Sequence, residues 1–133
     1  MKNGCDTRSQ ILYTNFDLLV YFIEKEKPFV YINWNTDEEH IFAELELKDL
    51  YRWWKVVRAR EWEALDAIEW RIDPTKPYCT FTKVPGTDYS TCDMESNVDN
   101  EKFEAYVNES ARLEQKDLDQ MIRLIKVSPH MWV

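Results

Sequence analysis

The sequence predicts a mainly α-helical fold: one helical domain of three or four helices spanning residues 1–133, with a small two-stranded β element. Three observations carry the prediction. Only two glycines, Gly4 and Gly86, occur in 133 residues, too few for the tight turns of an all-β fold or for a phosphate-cradling loop. Apolar residues make up 44% of the chain and aromatic residues 14%, ample material for one core and too much for a disordered chain. Most apolar residues also recur at spacings of three and four, the period of a helix face.

Residues 1–10 are polar and read as a loose N-terminal arm. Thr14 and Asp17 form a capping-type pair ahead of the stripe Phe16, Leu19, Val20 and Ile23, so the first helix is expected over about 15–26. Pro28 stops it. The run Phe29-Val30-Tyr31-Ile32-Asn33-Trp34 that follows is rich in β-formers and reads as a strand or an extended connection.

Asn35-Thr36 followed by Asp37, Glu38 and Glu39 is a helix start, because a hydroxyl caps the first turn and the acids favour the positive end of the helix dipole. The helix is expected to run to about Trp70, with a break near 46–48. Leu47, Leu50, Tyr51, Trp54, Val57, Leu65 and Ile68 approximate its buried face, with Trp53 outside the stripe and Arg52, Lys55 and Arg58 toward solvent. Asp73-Pro74 ends it, and residues 71–99 form a long irregular connection in which 78–84 alternates with period two and pairs, on this reading, with 29–34. From about Asn100 the pattern is helical again, with Leu118, Met121, Ile122 and Ile125 as its apolar stripe and Ser128-Pro129 as its stop. The tail His130-Met131-Trp132-Val133 is apolar enough to pack back on the domain or on another subunit.

The net charge of −8 opposes approach to phosphate backbones and anionic lipid, so direct nucleic-acid binding is disfavoured and no membrane segment is expected. The charge is uneven. Asp37, Glu38, Glu39, Glu44, Glu46 and Asp49 against Lys48 give a net −5, and Arg52, Lys55, Arg58 and Arg60 follow at once with +4. The three cysteines, Cys5, Cys79 and Cys92, are odd in number and widely spaced, which fits a reduced intracellular compartment.

Candidate chemistry is sparse. His40 and Glu44 stand at i, i+4, a spacing that can bring two metal ligands together, but no further ligand lies near them and a surface ion pair is the simpler reading. Cys79, Cys92 or Ser90 facing His40 or His130 lacks any nucleophile motif, and no cofactor is implied. The stronger candidate is a binding surface. Tyr51, Trp53, Trp54, Arg58 and Arg60, with Trp132 as a secondary contact, are the residue types that dominate protein interfaces. The expected partner is another protein, viral or host, or a second copy of the chain. The alternatives are an acidic mimic of nucleic acid that blocks a host nucleic-acid-binding protein, and a small metal protein or enzyme.

Further residues carry a resemblance: His40-x-x-x-Glu44-Leu45 leading into Leu50-Tyr51-x-Trp53-Trp54 with Arg58 and Arg60, then Leu118-x-x-Met121-Ile122-Arg123-Leu124-Ile125-Lys126-Val127, and Trp132. In these the chain resembles a family of uncharacterised small proteins of tailed bacteriophages, over roughly two-thirds of its length. That family often places proline after the first arginine of the Trp-Trp segment, whereas Ala59 here lets the helix continue. The resemblance implies a phage origin and a shared fold, and carries no activity; joined to the reduced compartment that the cysteines suggest, it makes the host cytoplasm the expected location.

Overall fold

A computed structural model describes residues 6–76, 80–93 and 97–131. The chain is mainly helical with a small antiparallel sheet, as the sequence predicts. It divides into two compact units, Met1–Glu61 with Glu114–Val133, and Trp62–Leu113.

In the first unit, α1 (Thr7–Tyr21) starts earlier than expected. The Asp6 carboxylate accepts the Ser9 backbone N–H at 2.8 Å and so caps the helix, leaving Thr14 in mid-helix and residues 7–10 helical instead of loose. A π-helical turn, Phe22–Glu26, continues α1. Lys27 then turns the chain with a left-handed φ of 51°, and Pro28 opens α2 (Pro28–Tyr31).

This single helical turn replaces the expected strand. Proline at N1 pre-sets the helical φ, and the backbone bonds Val30 N to Lys27 O, Tyr31 N to Lys27 O and Ile32 N to Pro28 O close the turn locally. Trp34 is buried and fixes the turn by donating Nε1–H to the Pro28 carbonyl at 3.0 Å.

Helix α3 (Glu38–Arg52) is capped by Asp37, which accepts the His40 N–H at 2.8 Å, in place of the expected Asn35-Thr36. Nothing breaks it at 46–48, where Leu47 is fully buried. The irregularity comes later, as a second π-helical turn over Trp53–Val57, followed by α4 (Arg58–Asp66). The helical run therefore ends at Asp66, short of Trp70.

Helix α5 (Asn100–Val127) ends where Ser128-Pro129 predicts, and a 3-10 turn, Ser128–Met131, follows it. The part of α5 in the first unit runs parallel to α1 at a constant sequence offset. Arg8 pairs with Glu114 at 3.5 Å, and the Asn15 amide reaches the Met121 sulfur at 3.9 Å across 106 residues. Against α3 the direction is antiparallel, with Arg123 held by Glu46 and Asp49, and His130 by Glu39. Leu12, Phe16 and Leu19 of α1, Leu47 and Leu50 of α3, Trp53, and Leu124 and Val127 of α5 form this unit's core with Phe22, Trp34 and Ala43.

The second unit contains a hairpin, β1 (Thr80–Lys83) against β2 (Ser90–Asp93), in the register Phe81 to Cys92 and Lys83 to Ser90. Within the 78–84 segment, Thr80–Lys83 thus pairs with its sequence neighbour, not with 29–34. Closing a short loop through Gly86, whose φ is 75°, costs far less chain entropy than pairing segments about 50 residues apart. Cys92 is a free, exposed thiol, whereas Cys5 and Cys79 lie outside the described residues, and with them any Cys79–Cys92 pairing.

Buried Asn97 organises the turn over residues 71–76. Its Oδ1 accepts the Asp73 N–H at 2.8 Å, and its Nδ2 donates to the carbonyls of Asp73 and Lys76. Trp70 meets Phe103 edge-on at 4.9 Å and lies 6.1 Å from Tyr106.

Candidate functional site

The aromatic and cationic cluster of the central helix turns largely inward. Trp53, expected outside the apolar stripe, is only 4% exposed and packs against Phe16. Trp54 is half-buried and stacks on Phe16 at 4.7 Å with a 14° interplanar angle, while Tyr13 meets it edge-on.

Arg58, expected to face solvent, forms a fork with Asp117. Nε reaches Oδ1 at 2.9 Å and Nη2 reaches Oδ2 at 3.0 Å, with the two side chains 16% and 15% exposed. Its guanidinium lies 4.9 Å from the Trp54 ring centroid. Burial works against the Arg58 charge, but the hydrogen bonds and charge of Asp117 outweigh it and raise the pKa.

The physical reason is the π-helical turn. Its closing bond runs from the Arg58 N–H to the Trp53 carbonyl, five residues back, so one extra residue fits into the turn. With that widening the Arg58 guanidinium meets Asp117, Tyr13 and the Trp54 ring.

Tyr51 is half-buried and donates its hydroxyl to Glu24 at 2.9 Å, and Lys55 approaches the same carboxylate at 3.4 Å. The Tyr51 hydrogen bond comes first in holding the Glu24 pKa below its usual value, and the same contact raises that of Tyr51. Arg60 is exposed. Trp132 lies outside the described residues.

His40 and Glu44 do not converge. His40 Nδ1 bonds the Asp37 carboxylate at 2.8 Å, and its ring meets His130 edge-on at 5.3 Å, while Glu44 pairs with Lys48 at 2.7 Å. Hydrogen bonds from the His40 backbone and ring hold Asp37 below its usual pKa. Among the described residues no group of three or more His, Cys, Asp or Glu side chains is placed to hold a metal ion.

The surface the sequence reading missed lies on α1 and α5. Leu118, Ile122 and Ile125, expected as the buried stripe of the last helix, are exposed, whereas Leu113, Gln120, Leu124 and Val127 are buried. Helix α1 likewise carries an exposed set, Ile11, Leu18 and Tyr21, beside its buried one.

Between the two helices lies a groove of about 340 Å³, whose apolar lining is Leu18, Tyr21, Phe22, Leu124, Ile125 and Met131. Asn15, Glu26 and Ser128 supply its polar atoms. Its chemistry suits the apolar side chains of another helix. The signal was present in the sequence: Ile11, Thr14, Leu18 and Tyr21 repeat at three, four and three, a second stripe beside the one that fills the core.

Compared with protein-family models, curated proteins and solved structures, the chain matches none.

Proposed function

We propose that this chain is a non-enzymatic accessory protein of a tailed bacteriophage that acts in the host cytoplasm by binding protein. The sequence resemblance supports the phage assignment. The observation that carries the binding assignment is the set of exposed apolar side chains on α1 and α5, with Leu18, Tyr21 and Ile125 around one groove. Exposed apolar patches of this kind mark interaction sites, because leaving them in water forgoes the burial that drives association.

The acidic-mimic reading has less support. Of the six acids in 37–49, Asp37 meets His40, Glu39 meets His130, Glu44 meets Lys48, and Glu46 and Asp49 meet Arg123. Charge spent on internal pairs presents a weaker field to a basic partner.

Affinity capture from phage-producing cells tests the proposal, with Leu18→Glu and Arg60→Glu compared against the unaltered chain. The expected outcome is a defined partner retained by the Arg60 variant and lost with the Leu18 variant. Identical captured proteins for all three would overturn the assignment to this face. Raising salt separates the readings, since apolar docking persists and charge mimicry weakens.

A further inference from the structure

We propose that the outer face of α1 and α5 is the seam of a homodimer, so that the occupant of the groove is a second copy of this chain. The inference rests on reading that face as protein-binding and goes further by naming the partner.

Spacing is the first argument. Ile11, Thr14, Leu18 and Tyr21 on α1 and Leu118, Ile122 and Ile125 on α5 follow the alternating three and four of a coiled-coil seam. All seven residues are exposed. The two helices run parallel, with Arg8 beside Glu114 and Asn15 beside Met121, so the stripes lie side by side with equal pitch. A partner that fits must offer ridges of that same pitch. A second copy does, and a two-fold axis through the seam sets two helices on two in a four-helix packing.

Charge is the second argument. On a chain of net charge −8, none of the seven stripe positions is charged. A cationic partner would find a single acid, Glu26, in the groove lining, whereas two uncharged stripes can approach despite the like net charge of their molecules.

Area is the third. The exposures are 48% for Ile11, 58% for Leu18, 58% for Tyr21, 40% for Leu118, 41% for Ile122 and 58% for Ile125. With aromatic side chains at about 150–250 Å² and aliphatic ones somewhat less, these sum to roughly 500 Å² per copy. Two copies bury roughly 1,000 Å², the size at which a specific interface begins. The dimer is therefore expected to be reversible, with a dissociation constant in the micromolar range.

Sedimentation equilibrium over roughly 1–300 μM chain, a span that brackets micromolar dissociation, tests this. The expected result is a monomer–dimer equilibrium that strengthens or holds as salt rises, because screening relieves repulsion between like net charges. Leu18→Glu should weaken it at least tenfold, since the isologous contact places the new charge at the seam twice. Thr14→Glu, at an exposed stripe position, gives a second test should Leu18→Glu fold poorly by circular dichroism. A chain that stays monomeric throughout, or a dimer indifferent to both substitutions, overturns the inference. A monomer that still captures a partner through Leu18 overturns it while leaving the protein-binding proposal standing.

Discussion

The contact that most changes the reading of the central helix is the Arg58–Asp117 fork, and its energetic worth can be worked from its geometry. Both side chains are about five-sixths buried, and two charge-assisted hydrogen bonds at 2.9 and 3.0 Å join them. Removing one member of a buried pair costs about 3–5 kcal/mol, mostly because the other is left uncompensated. The residual exposure places this pair at the lower end, and the lost guanidinium–Trp54 contact adds about 0.5–1 kcal/mol. Arg58→Met is therefore expected to destabilise the first unit by about 3.5–4 kcal/mol. Arg58→Met with Asp117→Leu replaces charge by apolar volume and should lie within about 1 kcal/mol of the unaltered protein. The difference requires a coupling energy of about 2 kcal/mol or more in a double-mutant cycle, read from urea unfolding followed by tryptophan fluorescence. If Arg58→Met costs under about 1 kcal/mol and the two substitutions simply add, the fork does not hold α4 to α5, and Arg58 is free to serve as a surface contact.

The buried Trp53 should be the costlier of the two neighbouring tryptophans: about 3–5 kcal/mol for Trp53→Ala against a clearly smaller loss for half-buried Trp54→Ala, with the reverse order in urea unfolding refuting the inward placement of Trp53. In the second unit, hydrogen bonds from Arg71 hold the Glu69 carboxyl at about 2, below its ordinary 4.5. The contribution of a depressed acid is fully present above its unfolded value and lost as pH falls through its folded one, so this contact weakens from about pH 4.5 down to about 2. A carboxyl NMR titration should show that low midpoint and its return toward 4.5 in Arg71→Met; an unchanged midpoint in the variant would remove Arg71 as the cause.

Much of the fold was legible because local chemistry announces it. The acids after Asp37, the stop at Ser128-Pro129 and the alternation leading into β1 each act within a few residues, and each element appears where they place it. What stayed hidden depends on choices that the local signal leaves even. Helix α5 carries two apolar stripes, and the more hydrophobic one, Leu118, Ile122 and Ile125, faces out. The buried set includes Gln120, an amide that reads as a surface residue until its oxygen is seen to accept Arg123 Nη1 at 2.9 Å. Residues 29–34 look like a strand by composition, but a strand needs a partner, and Pro28 begins a turn that satisfies its own backbone.

The single residue added within Trp53–Val57 explains why the richest stretch of the sequence is not its most available surface. A regular α-helix would close on Trp53 through residue 57, which is Val57, and would set the Arg58 guanidinium about 100° further round the helix. The wider turn closes on Arg58 instead, bringing its cation to Asp117 and Tyr13 and its plane over Trp54. The first π-helical turn makes the complementary adjustment on α1, where Glu24 receives both Tyr51 and Lys55. The rings of Trp53 and Trp54 and the cations Lys55 and Arg58 are thereby engaged within the unit, while most acids of α3 pair elsewhere, with His130, Lys48 and Arg123. On the proposed reading, recognition falls to the uncharged outer stripes of α1 and α5, which these pairings leave in water. Deleting Val56 tests the step directly: Arg58 then stands four residues after Trp53 and closes a regular α-turn on the same carbonyl, so its coupling to Asp117 should persist in a double-mutant cycle, and loss of that coupling would refute the account.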